Sequence, residues 1–342
     1  MTSAVEFTKH DLDGGFASSV VVAIVNYCTP DLVVDCLESL ASVRDECQWM
    51  KVVVADNASP DGSGQAIGEA IAARGWSDWA ELMQMPRNGG FSYGNNGVIR
   101  AYLHADEAPD FFWLLNSDTV ARDGSLTALL DFMRSNPSVG IAGSRLEHPD
   151  ATPQESAFRF HTIAAEFETS ANIGLVSRWL WNYRVSPDIS DTIGQYDWLS
   201  GASMLIRREV LVDTGLFDEG YFLYFEETDF CLRASQKGWS CWYVPDSHVV
   251  HLVGKSTGVW DKHKKPRRRP RFWFESRQRY YVKHHGRFYG TLADAALITG
   301  TVLWMIRAAI ERRPSLCPEK FLTDVLRHSA LLTSTRDVQH QE

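Results

Sequence analysis

"SVVVAIVNYCTPD", residues 19 to 31, decides the fold. Its first seven positions are a nearly unbroken run of Val, Ala and Ile without polar alternation, the composition of a strand covered on both faces. Thr29 and Pro30 then make a helix start with Pro at the first helical position, where the missing N–H costs nothing and the fixed φ suits the turn. Val33, Cys36, Leu37 and Leu40 recur at helical spacing, and "KVVVAD" (51 to 56) supplies the next buried strand. The unit is strand, helix, parallel strand.

The alternation continues outward with "ELMQM" (81 to 85), a helix after the Gly/Asn-rich stretch that follows, "DFFWLLN" (110 to 116), a helix around 124 to 135, and "VGIAG" (139 to 143). This predicts an α/β fold, a wound and mostly parallel sheet flanked by helices. Ligands of such sheets gather beyond the carboxyl ends of the strands, which singles out Tyr27, Asp56, the segment 87 to 96, and 116 to 118. Beyond 145 the pattern loosens through "RWLWNYR" (178 to 184), and "DWLSGASMLIRREV" (197 to 210) resumes strand then helix as a second half of the same domain. From 291 onward the sequence reads as helices. "ALITGTVLWMI" (296 to 306) falls short of the ~20 residues of a spanning helix, so it is expected to pack on the core or lie in a membrane interface.

At 342 residues, 44% hydrophobic and 23% charged, the chain can bury a large core and is not a disordered protein. Cysteines at 28, 36, 47, 231, 241 and 317 form neither C-x-x-C pairs nor a dense framework, which suits reduced thiols in a cytosol. Residues 1 to 18 lack the basic start and apolar centre of a secretory signal and are expected to form a flexible tail. The net charge is −9, yet "KHKKPRRRPR" (262 to 271) holds seven Lys or Arg, so the remainder carries −16. No stacking platform or zinc motif accompanies this stretch, which argues against nucleic acid. A solvated loop, a clamp over a diphosphate, and a contact to anionic lipid are its three readings.

Three phosphate motifs fail. The turn after the first strand, "NYCTPD" (26 to 31), has none of the glycines of a dinucleotide fingerprint. "GKST" (254 to 257) resembles the end of a P-loop, but Val249 stands where that pattern needs Gly. "DGSGQAIG" (61 to 68) has the wrong spacing and follows the second strand. By contrast "PRNGGFSYGNNG" (86 to 97) combines four glycines with three asparagines, fit either for a surface turn or for a backbone passing close to a hydroxyl-rich or phosphorylated small molecule.

Four polar groups stand out. Asp56 at a strand end can accept from a nucleoside or close an Asx turn. Asn116 and Asp118, one residue apart on an extended chain, can face one divalent ion, or Asp118 can cap the next helix. "EETD" (226 to 229), after the aromatic run "YFLYF", can hold a general base with a raised pKa, or simply put acids at a helix N-terminus. His251, just past a strand, can ligate a metal or serve structure.

"VAIVNY", "VVVADNASPDGS", "RNGGFSYGNNG", "LLNSDT", "GASMLIRREV", "GLFDEGYFLYFEETDFCLR" and "HVVHLVGKSTG" occur in the order seen in family 2 glycosyltransferases of the GT-A fold. Over about residues 20 to 290 the chain most resembles the bacterial rhamnosyltransferase-type enzymes of surface polysaccharide synthesis. The resemblance implies a catalytic domain over 19–255, with a nucleotide-binding half (19–145) and an acceptor half (146–255). A basic loop and helix near the active site (256–290) and C-terminal helices (291–342) follow.

It also implies roles. Asp56 contacts the nucleoside with Asn26 and Tyr27 nearby, while Arg87, Asn88, Gly89, Asn95, Asn96, Ser117 and Lys255 line the diphosphate and sugar pocket. Asp118 is the firm ligand of Mg²⁺ or Mn²⁺; Asn116 replaces the usual first acid of the metal motif, and His251, rather than His248, precedes the G-x-S step. Glu227 occupies the position of the base, one methylene longer than the usual Asp, and Glu226 or Asp229 can share its task. The implied reaction is inverting transfer from dTDP-rhamnose or a UDP-hexose to a hydroxyl of a glycan or polyprenyl-linked saccharide. The implied setting is the cytoplasm, with peripheral contact to the membrane's inner face and a homodimer left open. A non-catalytic module binding sugar nucleotides or glycans is the alternative.

Overall fold

The computed structural model describes residues 18–46, 50–105, 107–252, 267–313 and 317–332. The run that opened the sequence reading forms β1 (Val20–Asn26), and α1 (Pro30–Glu46) begins at its proline. β2 (Met50–Asp56) lies parallel to β1 in register from Val20 with Met50 to Asn26 with Asp56. The first half of the fold continues with α2 (Ser63–Ala73), β3 (Ala80–Gln84), α3 (Gly90–Leu103), β4 (Phe111–Asn116), β5 (Thr119–Ala121), α4 (Ser125–Ser135) and β6 (Val139–Glu147). Then come β7 (Ala157–Phe158), α5 (Ile163–Ala171), α6 (Gly174–Trp179), β8 (Gly194–Tyr196), β9 (Trp198–Leu199), β10 (Ser203–Arg207) and α7 (Arg208–Thr214). The chain ends in α8 (Glu226–Gln236), β11 (Ser240–His251), α9 (Arg271–Ile310) and α10 (Phe321–Arg327).

The main sheet runs β3-β2-β1-β4-β10-β6-β11-β5, with β8 also on β11. Alternate residues of the central strands feed two cores. Val22, Ile24, Val54 and Trp113 pack with Leu37 and Leu40 of α1 on one face, and Ala23, Val53 and Leu114 pack with Val98, Ile99 and Phe230 on the other. That two-sided burial is why these strands read as continuous apolar runs.

β10 is antiparallel to both β4 and β6. It enters from the carboxyl edge of the sheet, so the Gly201–Ala202 turn is held beside the end of β4, where Asn116 N donates to Ala202 O at 3.2 Å.

Two expectations change. Most of "PRNGGFSYGNNG" is helix, not loop, because α3 starts at Gly90. The boundary placed at 290/291 falls inside α9, which is broken instead at Gly286, where φ is 81° and ψ 166°. The helix that contains 296–306 is long and apolar enough by length and composition to cross a membrane, although a third of its most apolar stretch is buried against the protein. α9 is anchored to α5 by a buried triad in which Arg277 meets Glu166 at 3.1 Å and Asp294 at 2.5 Å. Of the terminal and basic segments, residues 1–17, 253–266 and 333–342 lie outside the described residues, and Lys255 with them.

Candidate active site

The carboxyl edge of the sheet is tied by one hydrogen-bonded chain. Asn26 ends β1 and donates from Nδ2 to Asp56 Oδ1 at 2.7 Å. Asp56 also accepts from Ser59 Oγ at 2.6 Å, Ser59 N at 3.1 Å and Gln84 Nε2 at 2.6 Å. On its other side Asn26 Oδ1 accepts from Thr29 N and Oγ1 at 3.2 and 3.0 Å, and Thr29 Oγ1 lies 3.3 Å from Ser117 Oγ. The chain therefore crosses the ends of β3, β2, β1 and β4 without a break. Asp56 is fully buried and its oxygens are spent on protein donors, so here it fixes the edge rather than presenting a free carboxylate. Tyr27, beside it, is 45% exposed.

Next along the edge, β4 ends at Asn116, and β11 ends at His251. Antiparallel pairing of β5 with β11 sets His251 opposite Thr119, and Leu252 N donates to Asp118 O at 2.9 Å. The result brings His251 Nε2 to 3.4 Å from Asp118 Oδ1 and 3.5 Å from Asn116 Nδ2. Asp118 is buried, and Gln154 holds the His251 carbonyl at 2.7 Å. His248 turns away to Glu147 at 3.3 Å. Among the described residues no three His, Cys, Asp or Glu side chains gather to hold a metal, so any ion here would take its further ligands from Asn116, substrate or solvent.

The acids of α8 separate into three kinds. Phe225 and Tyr224 before the helix are both left-handed, with φ of 68° and 72°, a conformation that costs of order 1–3 kcal/mol per residue and persists only where the surrounding packing imposes it. Glu226 is buried, and burial first, then the Glu227 charge, holds its carboxyl well above the ordinary range. Burial also raises Glu227, against backbone N–H groups that include Gly201 N, donating to its Oε1 at 3.1 Å. Glu227 keeps part of its surface open.

Asp229 is the opposite case. Burial would raise it, but the His284 hydrogen bond at 2.7 Å and the Arg233 and Lys283 cations at 2.8 and 2.7 Å pull it well below the carboxylate range. Fully buried and saturated with donors, Asp229 cannot take up a proton from an acceptor, and it leaves the set of candidate bases.

Gly201 and Ala202 join the two clusters, since Gly201 N binds Glu227 and Ala202 O binds Asn116 N. A Cβ at Gly201 would lie 2.7 Å from Glu227 Oε1 and 2.9 Å from Phe91 Cζ. Gly90, with φ of 83°, passes so close to Phe222 that a Cβ would stand 1.9 Å from its carbonyl oxygen. This contact, and the Phe91 N to Phe222 O bond of 3.0 Å, bring the start of α3 against the segment before α8.

Arg87 is exposed with its guanidinium 4.3 Å from the Tyr93 ring, and with Gly89 and Phe222 it borders a cavity of about 570 Å³. The asparagines do not join it. Asn88 accepts from Gly90 N at 3.1 Å, Asn95 donates to Phe91 O at 3.0 Å, and Asn96 donates to Phe217 O and Glu219 at 2.8 and 3.0 Å. Sequence reasoning missed Thr29, Ser59, Gln84 and Gly201. Their contacts reach across strands, and only the small residues before β10 hinted at a close approach.

The sheet order and the reversed β10 are those of the GT-A fold, with the polar groups collected at its carboxyl edge. Two solved structures share that fold. They are the mannosyltransferase PcManGT of Pyrobaculum calidifontis in complex with GDP-Man and Mn²⁺ (TM-score 0.53, 14% identity, 98% of this chain and 92% of that one) and GalNAc-T7 with UDP, GalNAc and Mn²⁺ (TM-score 0.54, 11% identity, 92% and 57%).

The chain belongs to glycosyltransferase-like family 2, whose model matches residues 14–279. It is similar to the N-acetylglucosaminyl-diphospho-decaprenol L-rhamnosyltransferase of Mycobacterium tuberculosis H37Rv, with 28% identity over 236 residues, 64% of this chain and 71% of that protein. The rhamnosyltransferase WbbL of Escherichia coli K12 is 27% identical over 167 residues, 48% of this chain and 61% of that protein.

Proposed function

We propose that this glycosyltransferase moves rhamnose from dTDP-rhamnose to a hydroxyl of a polyprenyl-linked saccharide, with inversion and with the help of Mg²⁺ or Mn²⁺. The observation that carries the proposal is the meeting of Asn116, Asp118 and His251 at one end of the Gly201–Ala202 turn and of Glu227 at the other. The two rhamnosyltransferase relatives favour the sugar, and the decaprenol-linked acceptor in the name of one of them favours the carrier.

Asp118 and His251, with the Asn116 amide, fit a hard cation that shares its coordination with diphosphate oxygens. When bound, such an ion offsets charge on the leaving nucleoside diphosphate. The chain's own residues do the rest. Asn26, Asp56 and Ser117 keep the edge rigid, and exposed Tyr27 offers a ring beside it. Arg87 supplies a cation at the rim, and Lys255 is assigned to the same diphosphate. Burial raises both adjacent glutamates, and of the two Glu226 is buried while Glu227 keeps part of its surface open. Glu227, partly open, accepts the proton of the acceptor hydroxyl as it attacks the anomeric carbon from the face opposite the leaving group.

The test is a panel of UDP, dTDP and GDP sugars with and without Mn²⁺, read by thermal shift and then by sugar release. dTDP-rhamnose is expected to be consumed, and Glu227→Gln to lose turnover by about 10³-fold while donor affinity stays within roughly twofold. Full activity in Glu227→Gln rejects the base, preference for a UDP-hexose rejects the sugar, and donor binding without even slow hydrolysis returns the protein to a binding module.

A further inference from the structure

A second cleft, of about 480 Å³, lies between α5, the β7–β9 ladder and α9. That size is ordinary for a small-ligand site. Its lining includes chain neighbours of the proposed base: Phe225 stands two residues before Glu227, and Trp198 three residues before Gly201. Trp198 stacks on Phe158 at 4.2 Å, and His161 lies 4.8 Å from Phe225. Burial lowers the His161 pKa to about 4, so this ring is neutral and serves as wall rather than as charge. Trp273, Leu297 and Trp304 of α9 continue an apolar lining.

Among the described residues one cation, Arg269, borders this surface, together with two acids, Glu155 and Glu166. Arg269 is exposed, its guanidinium sits 4.1 Å from the Trp273 ring, and the carboxylate whose charge acts on it, Glu166, is already bound by Arg277 at 3.1 Å. Its neighbour Arg268 differs, bound by Asp324 at 2.7 and 2.8 Å. The other side of α9 faces outward with Leu292, Val302, Leu303, Met305, Ile306 and Ile310 exposed by 37 to 77%. A helix whose inner side lines a cleft and whose outer side is bare hydrocarbon joins that cleft to an apolar medium.

We infer that this cleft receives the carrier end of the acceptor: the first isoprene units lie along the Trp198, Trp273 and Trp304 wall, their diphosphate meets Arg269, and the remaining chain leaves over α9 into a bilayer. The inference rests on the glycosyltransferase reading above and adds to it the place where the lipid-linked acceptor is held. An apolar chain bearing a diphosphate uses both halves of the lining at once, the aromatic wall for its isoprenes and the Arg269 guanidinium for its phosphates.

Farnesyl diphosphate is the probe, with binding followed by tryptophan fluorescence and calorimetry, and with farnesol and inorganic diphosphate as its separate halves. The intact protein is expected to bind farnesyl diphosphate at least about tenfold more tightly than either half. Arg269→Glu and Trp304→Ala are each expected to weaken it about tenfold, with folding checked by circular dichroism. Arg269 is exposed, so its variant carries the test even if Trp304→Ala does not fold. Inorganic diphosphate binding as tightly as farnesyl diphosphate, or Arg269→Glu binding it undiminished, overturns the inference. Hydrolysis of a nucleotide sugar by the intact protein, measured without acceptor, reports the catalytic reading by itself. Hydrolysis without farnesyl diphosphate binding defeats the cleft alone, and binding without hydrolysis defeats the catalytic reading and leaves the cleft standing.

Discussion

Gly201→Ala tests the site at its narrowest point. The added Cβ would stand 2.7 Å from Glu227 Oε1, 3.0 Å from Glu227 Cγ and 2.9 Å from Phe91 Cζ. Carbon atoms pack best at about 3.5–4.0 Å, so something must move by roughly 0.5–1 Å. The φ of Gly201 is not left-handed, so the backbone accepts alanine, and the atoms that collide are the outer parts of side chains. The fold therefore yields at modest cost, about 1–2 kcal/mol of overpacking, a shift of a few degrees in melting temperature.

Glu227 cannot yield without consequence. The same substitution crowds the residue whose N–H fixes Oε1, and a misplacement of about 1 Å in a reacting group costs on the order of 10²-fold in rate. Steady-state kinetics should show kcat down roughly 10- to 100-fold with donor KM nearly unchanged, the signature of an interaction made mainly in the transition state. A variant with undiminished kcat would show that the proton acceptor is not held at Gly201. A variant whose donor KM rises while kcat holds would move Gly201 into the donor pocket.

The remaining predictions concern charge. Burial and the Glu227 charge raise Glu226, so the folded protein binds a proton the unfolded chain releases above about pH 4.5, and stability from this group is full below that pH and falls as pH rises. Glu226→Gln should flatten that fall and leave the variant relatively more stable at pH 8 than at pH 5 in urea denaturation; an unaltered slope would refute the raised pKa. Asp229 is lowered, so its contribution is present above about pH 4 and lost as pH drops further. Asp229→Asn should cost about 3–5 kcal/mol at pH 7, with the gap to the parent closing in acid, and a loss below about 1 kcal/mol would show that Arg233, Lys283 and His284 do not depend on it. Mn²⁺ with a nucleoside diphosphate should raise the melting temperature of the parent but not of Asp118→Asn; an equal rise in both removes Asp118 from the cation's ligands.

The first half of the fold could be read residue by residue because local and global signals agree there. β1, β2 and β4 begin and end within about one residue of their apolar runs, and α1 begins at Pro30 as the Thr-Pro pair requires. The direction of β10 could not be read, since "SMLIR" has the same composition running either way and only the route of entry reverses it. The Gly/Asn stretch misled for a similar reason. Asn96 is poor in an isolated helix, but Phe217 and Glu219, more than a hundred residues later, accept its amide and make the helical turn the better solution. At the site, residue types and order pointed to Asn116, Asp118 and His251, while their meeting depends on the β5–β11 pairing, which no local pattern encodes.

The acids of "EETD" show why contacts far along the chain decide chemistry that looks local. Within these four residues one carboxyl is buried and raised, one is partly open and one is a structural anion, and nothing in their own sequence assigns the parts. The assignment comes from α9, whose Lys283 and His284 bind Asp229 at 2.7 Å each and fix the rotation of α8 about its axis. With Asp229 turned toward α9, Glu227, two residues before it and about 160° around the helix from 229, is carried toward Gly201. The family match ends at residue 279, before either of those α9 groups. The orientation of Glu227 thus depends on a part of α9 beyond the matched segment, which takes in only the first nine residues of that helix. The same helix lines the second cleft, with Trp273 inside the matched segment and Leu297 and Trp304 beyond it, so residues outside the family match both orient Glu227 and help shape that cleft.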